Sequence, residues 1–273
     1  MTDADVERVF PTTKPRITLE ALSIAVIAWG WALIQYQWWG SSPGLAYGAR
    51  VGDGEQILMT VKTISERGWF LNQPRLGFPF GQTFYDFPMG GETWQLGIMK
   101  GITTFVKNPA AAVNLYYFFG YGVVAVVTFL VLRHLRFRYG IALVAALAFT
   151  FLDYHFVRGE WHLWRSSYFS VPLAGLVILW SQQWRSRFLV DVERRGRATF
   201  ARSNLRWRRV IAAAVICVVI GGTETMTTVF TIVFLAVAAI VAAIRWKEPA
   251  RLVAAGVLAA LIGGTFLICS YPS

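Results

Sequence analysis

The chain has 273 residues, of which 56% are hydrophobic, 15% aromatic and 15% charged, and its formal net charge is +11. Because an ordinary soluble domain has about 25% charged residues, this composition excludes a disordered chain, a disulfide-stapled secreted module and most soluble enzymes. The two cysteines, Cys217 and Cys269, lie in apolar runs and lack the spacing of a metal or redox motif. We therefore predict an integral membrane protein.

Seven apolar stretches have the length and polarity of membrane helices, which need roughly 20 mostly apolar residues to cross a bilayer. In chain order they are 21–39, 110–132, 139–157, 166–184, 210–223, 225–244 and 252–271. The run 210–244 is divided at two glycines and Glu224, because a single helix of that length would measure about 52 Å. The predicted fold is all-α, with a cytoplasmic N-terminal segment 1–20 and a single membrane domain over 21–273.

The basic residues are distributed unequally between the two sides of these predicted spans. If the N-terminus is cytoplasmic, the segments that remain inside hold 18 of the 26 Lys and Arg residues but only seven of the 15 acids. The positive-inside rule therefore predicts a cytoplasmic N-terminus in the plasma (inner) membrane, with the long loop 40–109 outside. The Arg-rich loop 185–209 lies between two spans, which favours contact with anionic membrane lipid and argues against nucleic acid as a partner.

The external loop 40–109 contains two predicted helices. Asp53, followed by Gln56, has the pattern of a capping box, and the apolar face that follows ends at Gly68. A second helix is predicted over 92–106. Both are predicted to be amphipathic and to lie on the membrane surface.

A short external turn over 153–165 concentrates ionisable side chains beside the membrane. These are Asp153, His155, Arg158, Glu160, His162 and Arg165. Such groups are costly near hydrocarbon unless they are paired or face water, so the turn is predicted to be part of a functional site. Glu224, at the outer tip of the 210–244 hairpin, is a further candidate. We predict that the turn packs against the loop 40–109 and that the two share a pocket.

The predicted topology, the long first external loop with its helices and the acid just past the first span resemble the GT-C superfamily. These multi-spanning glycosyltransferases use polyprenyl-phosphate sugars and include the protein O-mannosyltransferases. Three segments also look like those of bacterial multi-spanning membrane proteins near this group: Gly52-Asp53-Gly54, Arg75-Leu76-Gly77 and Tyr85-Asp86-Phe87-Pro88.

The resemblance implies an enzyme that transfers a sugar from a polyprenyl-phosphate donor to an acceptor on the outer face, in assembly of the cell envelope. It assigns the catalytic base to Asp53 and a second acid to Glu55, although a glycine separates two acids that are often adjacent in the family. Family members usually extend well beyond seven spans, so the sequence is expected to be part of a longer protein.

Sugar transfer needs a carboxylate for the acceptor proton, positive charge for the leaving phosphate and a groove for the lipid. For the phosphate, the candidates are Arg158, Arg165 and His162, since arginine offers bidentate contacts. The remaining substrate-binding candidates are Asp86, Asp153, His155, Glu160 and Glu224. The sequence contains no metal motif, and the need for a divalent cation is left open.

Structural interpretations of the same residues stay open at this point. Asp53 is also explained as a helix N-cap, Glu55 as a favourable charge at a helix N-terminus, and Asp86 as the cap of a turn. The two arginines of the turn are also explained as ion-pair partners of its acids. The alternative functions are a transporter or flippase of lipid-linked sugars and a non-catalytic membrane subunit.

Overall fold

The structure is a computed structural model that describes residues 14–48, 52–84, 91–181, 190–192, 203–205, 207–247 and 249–271. Its helices are α1 (Lys14–Gln35), α2 (Gly54–Arg67), α3 (Thr93–Phe105), α4 (Pro109–His134), α5 (Tyr139–Thr150), α6 (Asp153–Arg158), α7 (Leu163–Ser166), α8 (Ser170–Ser181), α9 (Trp207–Gly221), α10 (Thr225–Trp246) and α11 (Ala250–Ser270). Single 3₁₀ turns occupy Trp38–Gly40 and Glu160–His162. Two antiparallel ribbons pair β1 (Asn72–Gln73) with β2 (Gln82–Thr83) and β3 (Val190–Val192) with β4 (Ser203–Leu205).

Five segments of the described chain are long and apolar enough to cross a membrane. They are Ile17–Gln35, Pro109–His134, Tyr139–Arg158, Thr225–Trp246 and Arg251–Ser270. The prediction of an all-α protein is confirmed, and these helices indicate a membrane protein. The predicted count of seven spans is not confirmed, because α8 and the apolar part of α9, Val210–Gly221, are shorter.

The helix boundaries depart from the predicted spans where charged or polar groups find partners. α1 begins at Lys14 and so includes Glu20, whose Oε2 lies 3.1 Å from Nε of Arg133 on α4. This buried ion pair lets an acid lie inside the helix bundle. The helix ends at Gln35 rather than at 39, because Gln37 adopts a left-handed conformation with φ of 47°.

The predicted span 139–157 is divided into α5 and α6. α5 ends at Thr150, and the Tyr168 hydroxyl lies 2.8 Å and 3.1 Å from the carbonyl oxygens of Phe149 and Thr150. This hydroxyl satisfies carbonyl groups that the end of a helix leaves without an intrahelical partner. The helix in the next predicted span, 166–184, also differs from the prediction: α8 starts at Ser170, four residues later.

Helix α4 lies at the centre of the molecule and contacts α1, α5 and α8. Helices α8 to α11 form a second group around a core that includes Cys217, Ile220, Leu235 and Ile262. α2 and α3 pack against each other and against α4, so the first loop is folded onto the helix bundle. The structure therefore has a helix in each of the two segments predicted within 40–109, and α2 stops at Gly68 as predicted.

Gly221 is the point where α9 closely approaches α11. A Cβ atom at this position would collide with the carbonyl oxygen of Ile262 and lie 2.8 Å from Cβ of Thr265. We expect Gly221→Ala to lower the free energy of unfolding by about 1–3 kcal/mol, as overpacking does elsewhere. Gly264→Ala in α11, where nothing lies within 4 Å, is the matched control and is expected to be neutral or stabilising. Denaturant unfolding in detergent measures both, and equal stability of the two variants would contradict the close approach.

Candidate functional site

A cavity of about 300 Å³ lies between the first loop, the 153–165 turn and the start of α10. We call it the polar cavity, and its lining is Asp53, Gln56, Ile57, Glu92, His162, Trp164, Arg165, Glu224, Thr225 and Met226. The cavity brings together four predicted site residues from three separate parts of the sequence: Asp53, His162 and Arg165, and Glu224. It also contains Glu92, which the sequence analysis did not identify.

Asp53 occupies the N-cap position of α2, but its carboxylate makes no capping hydrogen bond. Its side chain is 60% exposed, and Oδ2 lies 4.0 Å from Nε2 of His162. The interpretation of Asp53 and Gln56 as a capping box is therefore wrong for the Asp53 side chain. The carboxylate faces the cavity, where it is available to a ligand.

The first turn of α3 is fixed against the α9–α10 hairpin and the end of α11. The backbone N–H and the indole N–H of Trp94 donate to the carbonyl oxygens of Gly222 and Val218, both at 3.0 Å. The Thr93 hydroxyl donates to the carbonyl oxygen of Cys269 at 3.1 Å. These bonds hold Glu92, the residue before α3, in the polar cavity.

Glu224 caps α10 at the same cavity. Its Oε1 accepts a hydrogen bond of 3.0 Å from the backbone N–H of Met226, and its extended backbone starts the helix. The break between α9 and α10 was predicted from the two glycines and Glu224, and the structure has it there. Glu224 thus combines a structural role with a place in the cavity lining.

Burial makes the two glutamic acids of the cavity weaker acids than usual. It raises the pKa of Glu92 to about 7, and the nearby Glu224 carboxylate raises this pKa further while Arg165 opposes the shift. Burial likewise raises the pKa of Glu224, against the influence of Arg165. Oε2 of Glu92 is buried and has no hydrogen-bond partner among the described residues. The cavity is therefore less negative near neutral pH than its three carboxyl groups suggest.

The raised pKa of Glu92 has a consequence for stability. Its folded-state pKa of about 7 exceeds the ordinary 4.5, so the folded state is favoured most below pH 4.5 and loses stability as pH rises through about 7. The full loss is about 3 kcal/mol, from about 1.4 kcal/mol for each pKa unit. We expect Glu92→Gln to have a flatter dependence of Tm on pH between about 5 and 8 than the wild type. Thermal unfolding of both proteins in detergent is the measurement, and parallel curves would contradict the shift.

Arg165 lines the polar cavity from α7, and it is half-buried. Among the described residues no carboxylate oxygen lies within 4.0 Å of its guanidinium, so the predicted ion pair with Asp153 or Glu160 is absent. A half-buried guanidinium without a carboxylate partner is suited to bind an anionic group of a ligand.

The predicted contact between the 153–165 turn and the loop 40–109 is present. The backbone N–H of Gly48 donates to Oε2 of Glu160 at 3.1 Å, and Nε2 of Gln95 donates to the carbonyl oxygen of Trp164 at 3.1 Å. A Cβ atom at Gly52 would lie 3.3 Å from Cε1 of His162, so this glycine permits the close approach beside Asp53.

A second cavity, of about 380 Å³, lies on the other part of the same turn. We call it the aromatic cavity because seven aromatic side chains line it, together with Asn114 and Glu160. The seven are Tyr36, Trp38, Tyr47, Tyr117, Phe118, Phe156 and Trp161. Burial raises the pKa of Glu160 to about 7, against the hydrogen bond from Gly48. Glu160 lines the aromatic cavity and is not among the residues that line the polar cavity.

Four other predicted site residues, all described, line neither cavity. His155 is fully buried, and its ring stacks on Tyr121 with 3.8 Å between ring centroids. The Arg158 guanidinium lies over the Tyr154 ring, 5.2 Å from its centroid. Glu55 and Asp153 are exposed in the first turns of α2 and α6. Asp86, like most of the loop 185–209 and the segment 1–13, lies outside the described residues.

Within the described residues, no group of three or more His, Cys, Asp or Glu side chains is arranged to hold a metal ion. Arg165 is the residue of the described polar-cavity lining that carries a permanent positive charge. No family model, curated protein or solved structure matches the chain.

Proposed function

We propose that the protein is an integral membrane glycosyltransferase that moves a sugar from a polyprenyl-phosphate donor to an acceptor. One observation carries the proposal: the polar cavity holds a carboxylate that caps no helix, Asp53, and a guanidinium without a carboxylate partner among the described residues, Arg165. The same chain has helices that are long and apolar enough to cross a membrane. Asp53 and Arg165 carry the two charges that transfer of a sugar from a phosphate requires.

In the proposed reaction, Asp53 accepts the proton of the acceptor hydroxyl as the oxygen attacks the anomeric carbon of the sugar. The bond between that carbon and the phosphate oxygen breaks, and the phosphate leaves with the electron pair. Arg165 stabilises the negative charge that develops on the phosphate. A single displacement of this kind inverts the anomeric configuration. His162, 4.0 Å from Asp53, is placed to orient the carboxylate.

We also propose that the chain spans the plasma (inner) membrane of a bacterium seven times with its N-terminus inside, α8 and α9 being the two short spans. The unequal distribution of Lys and Arg supports this orientation. The segments assigned to the outer face contact each other around the polar cavity. Among the segments assigned to the inner face or next to it, Nη1 of Arg251 donates to the carbonyl oxygen of Ser181 at 3.1 Å. The exposed side chains of Trp94, Ile98 and Phe105 give α3 an apolar face suited to the membrane surface.

Cysteine labelling tests the orientation. Thr83 and Lys247 are exposed and lie on opposite proposed sides, so Thr83→Cys is expected to react with an impermeant reagent only from outside and Lys247→Cys only from inside. The background variant carries Cys217→Ala and Cys269→Ala, which removes the native thiols. Labelling of both introduced cysteines from the same side would contradict the proposed topology.

A reconstitution experiment tests the activity. The full chain in lipid vesicles receives polyprenyl-phosphate hexose and pentose donors together with a cell-envelope extract as acceptor. We expect release of free polyprenyl phosphate in equal amount to the sugar that appears on the acceptor. A transporter would move the donor across the vesicle bilayer intact, and a non-catalytic subunit would produce neither change. Either result would contradict the glycosyltransferase proposal.

A further inference from the structure

The aromatic cavity contains a carboxyl group that no basic side chain neutralises. Oε2 of Glu160 accepts the hydrogen bond from Gly48, and no Lys, Arg or His nitrogen of the described chain lies within 4.0 Å of the carboxylate. Lys, Arg and His are also absent from the described residues that line this cavity. Among the described residues, no side chain therefore supplies a positive charge beside Glu160.

Asn114 also lines this cavity, and its amide oxygen has no hydrogen-bond partner among the described residues. Asn114 is only 4% exposed, and its Nδ2 donates to the carbonyl oxygens of Pro43 and Leu45 at 2.7 Å and 2.9 Å. These two bonds fix the orientation of the amide, because both partners are acceptors. Its Oδ1 is buried and has no partner among the described residues. This oxygen has almost no accessible surface, so the Asn114 amide is part of the cavity wall and not a contact for a ligand.

Two tyrosines of the aromatic wall have hydroxyl groups that are already hydrogen-bonded. The Tyr36 hydroxyl lies 3.1 Å from that of Tyr117 and 2.6 Å from that of Tyr121, and the Tyr117 hydroxyl is bonded to the carbonyl oxygen of His155. Aromatic ring faces attract cations, most strongly where water is excluded. The cavity therefore presents aromatic ring faces beside the Glu160 carboxyl group.

We infer that the aromatic cavity binds an organic ammonium ion, whose N–H groups donate to Glu160 and whose apolar part contacts the rings. The described lining has no basic side chain that would favour an anion. A plain hydrocarbon chain would give the Glu160 carboxyl group no charged or hydrogen-bonding partner beyond Gly48 in this apolar site. The volume of about 380 Å³ suits a small molecule. This site is separate from the cavity that holds Asp53 and Arg165, so the inference does not depend on the proposed sugar transfer.

Two matched small molecules test the inference. 2-Phenylethylamine is an ammonium ion at neutral pH, whereas 2-phenylethanol has the same ring and chain but no charge. The full chain is placed in lipid nanodiscs, and titration calorimetry against empty nanodiscs corrects for partition into lipid. We expect the wild type to bind the ammonium ion at least about tenfold more tightly than the alcohol. Equal affinities, or no binding of the ammonium ion, would overturn the inference.

Three variants assign the binding to this cavity. Glu160→Gln keeps an acceptor for Gly48 and is expected to lower the affinity for the ammonium ion at least about tenfold while the affinity for the alcohol is unchanged. Tyr47→Leu, at a half-exposed ring, is the second variant if Glu160→Gln fails to fold, and it is expected to weaken ammonium binding selectively. Asp53→Asn neutralises an acid of the polar cavity and is the control. If it weakened binding and Glu160→Gln did not, the ammonium ion would occupy the polar cavity and the inference would be wrong.

Discussion

Asp53→Asn is expected to lower the rate of sugar transfer at least about a hundredfold, the low end for removal of a general base. The carboxylate faces the polar cavity beside His162 and makes no capping hydrogen bond to α2. Asparagine is also as good an N-cap residue as aspartate, so the helix has nothing to lose by the change. We therefore expect the variant to insert and fold normally, and the rate of polyprenyl-phosphate release measures the loss.

Glu66→Gln is the control for this experiment because Glu66 is at the other end of the same helix. Its carboxylate is paired with Lys62 at 2.8 Å and with Arg75 at 3.3 Å, away from the polar cavity. We expect this variant to release polyprenyl phosphate at the wild-type rate. Near-normal release by Asp53→Asn would show that Asp53 is not the base, whatever the control does.

The all-α architecture with apolar helices could be predicted from the sequence because hydrophobic runs are local signals. The helix over 92–106, the stop at Gly68 and the break before Glu224 all follow from such signals. The contact between the 153–165 turn and the first loop was also predictable, because both lie on the same predicted face and both carry charges that need partners. This reasoning predicted a shared pocket for Asp53 and Arg165, and both residues line the polar cavity.

Glu92 was missed because its importance arises only from tertiary contacts. In the sequence it is a single acid after two glycines, and nothing local distinguishes it from Glu55. The bonds from Trp94 to the α9–α10 hairpin place it in the cavity. The burial of His155 was equally invisible, since the six residues of α6 are too few for periodicity to reveal which side faces the core. An ionisable residue near the membrane therefore indicates a region, and packing decides which side chains of that region share a cavity.

Arg165→Gln is expected to raise the KM for the polyprenyl-phosphate donor and to lower kcat/KM by about 10- to 100-fold, the range for loss of hydrogen bonds to a charged group. The guanidinium lines the polar cavity without a carboxylate within 4.0 Å among the described residues, so its removal breaks no ion pair of the fold there. We expect the kcat/KM of Arg165→Lys to lie between those of the wild type and Arg165→Gln, because lysine keeps the charge but not the bidentate geometry. Steady-state kinetics with the donor varied are the measurement.

Arg75→Gln is the matched control, since Arg75 is exposed in the first loop and contacts Glu66 rather than the cavity. It is expected to leave KM unchanged. Arg158 provides the sharper comparison, because its guanidinium lies over Tyr154 outside both cavities although it is only seven positions away in sequence. If Arg158→Gln raised KM while Arg165→Gln did not, the phosphate would bind beside Arg158 and the assignment to Arg165 would be wrong. A loss confined to Arg165 would instead tie the donor phosphate to the same cavity as Asp53, which is the arrangement that direct transfer requires.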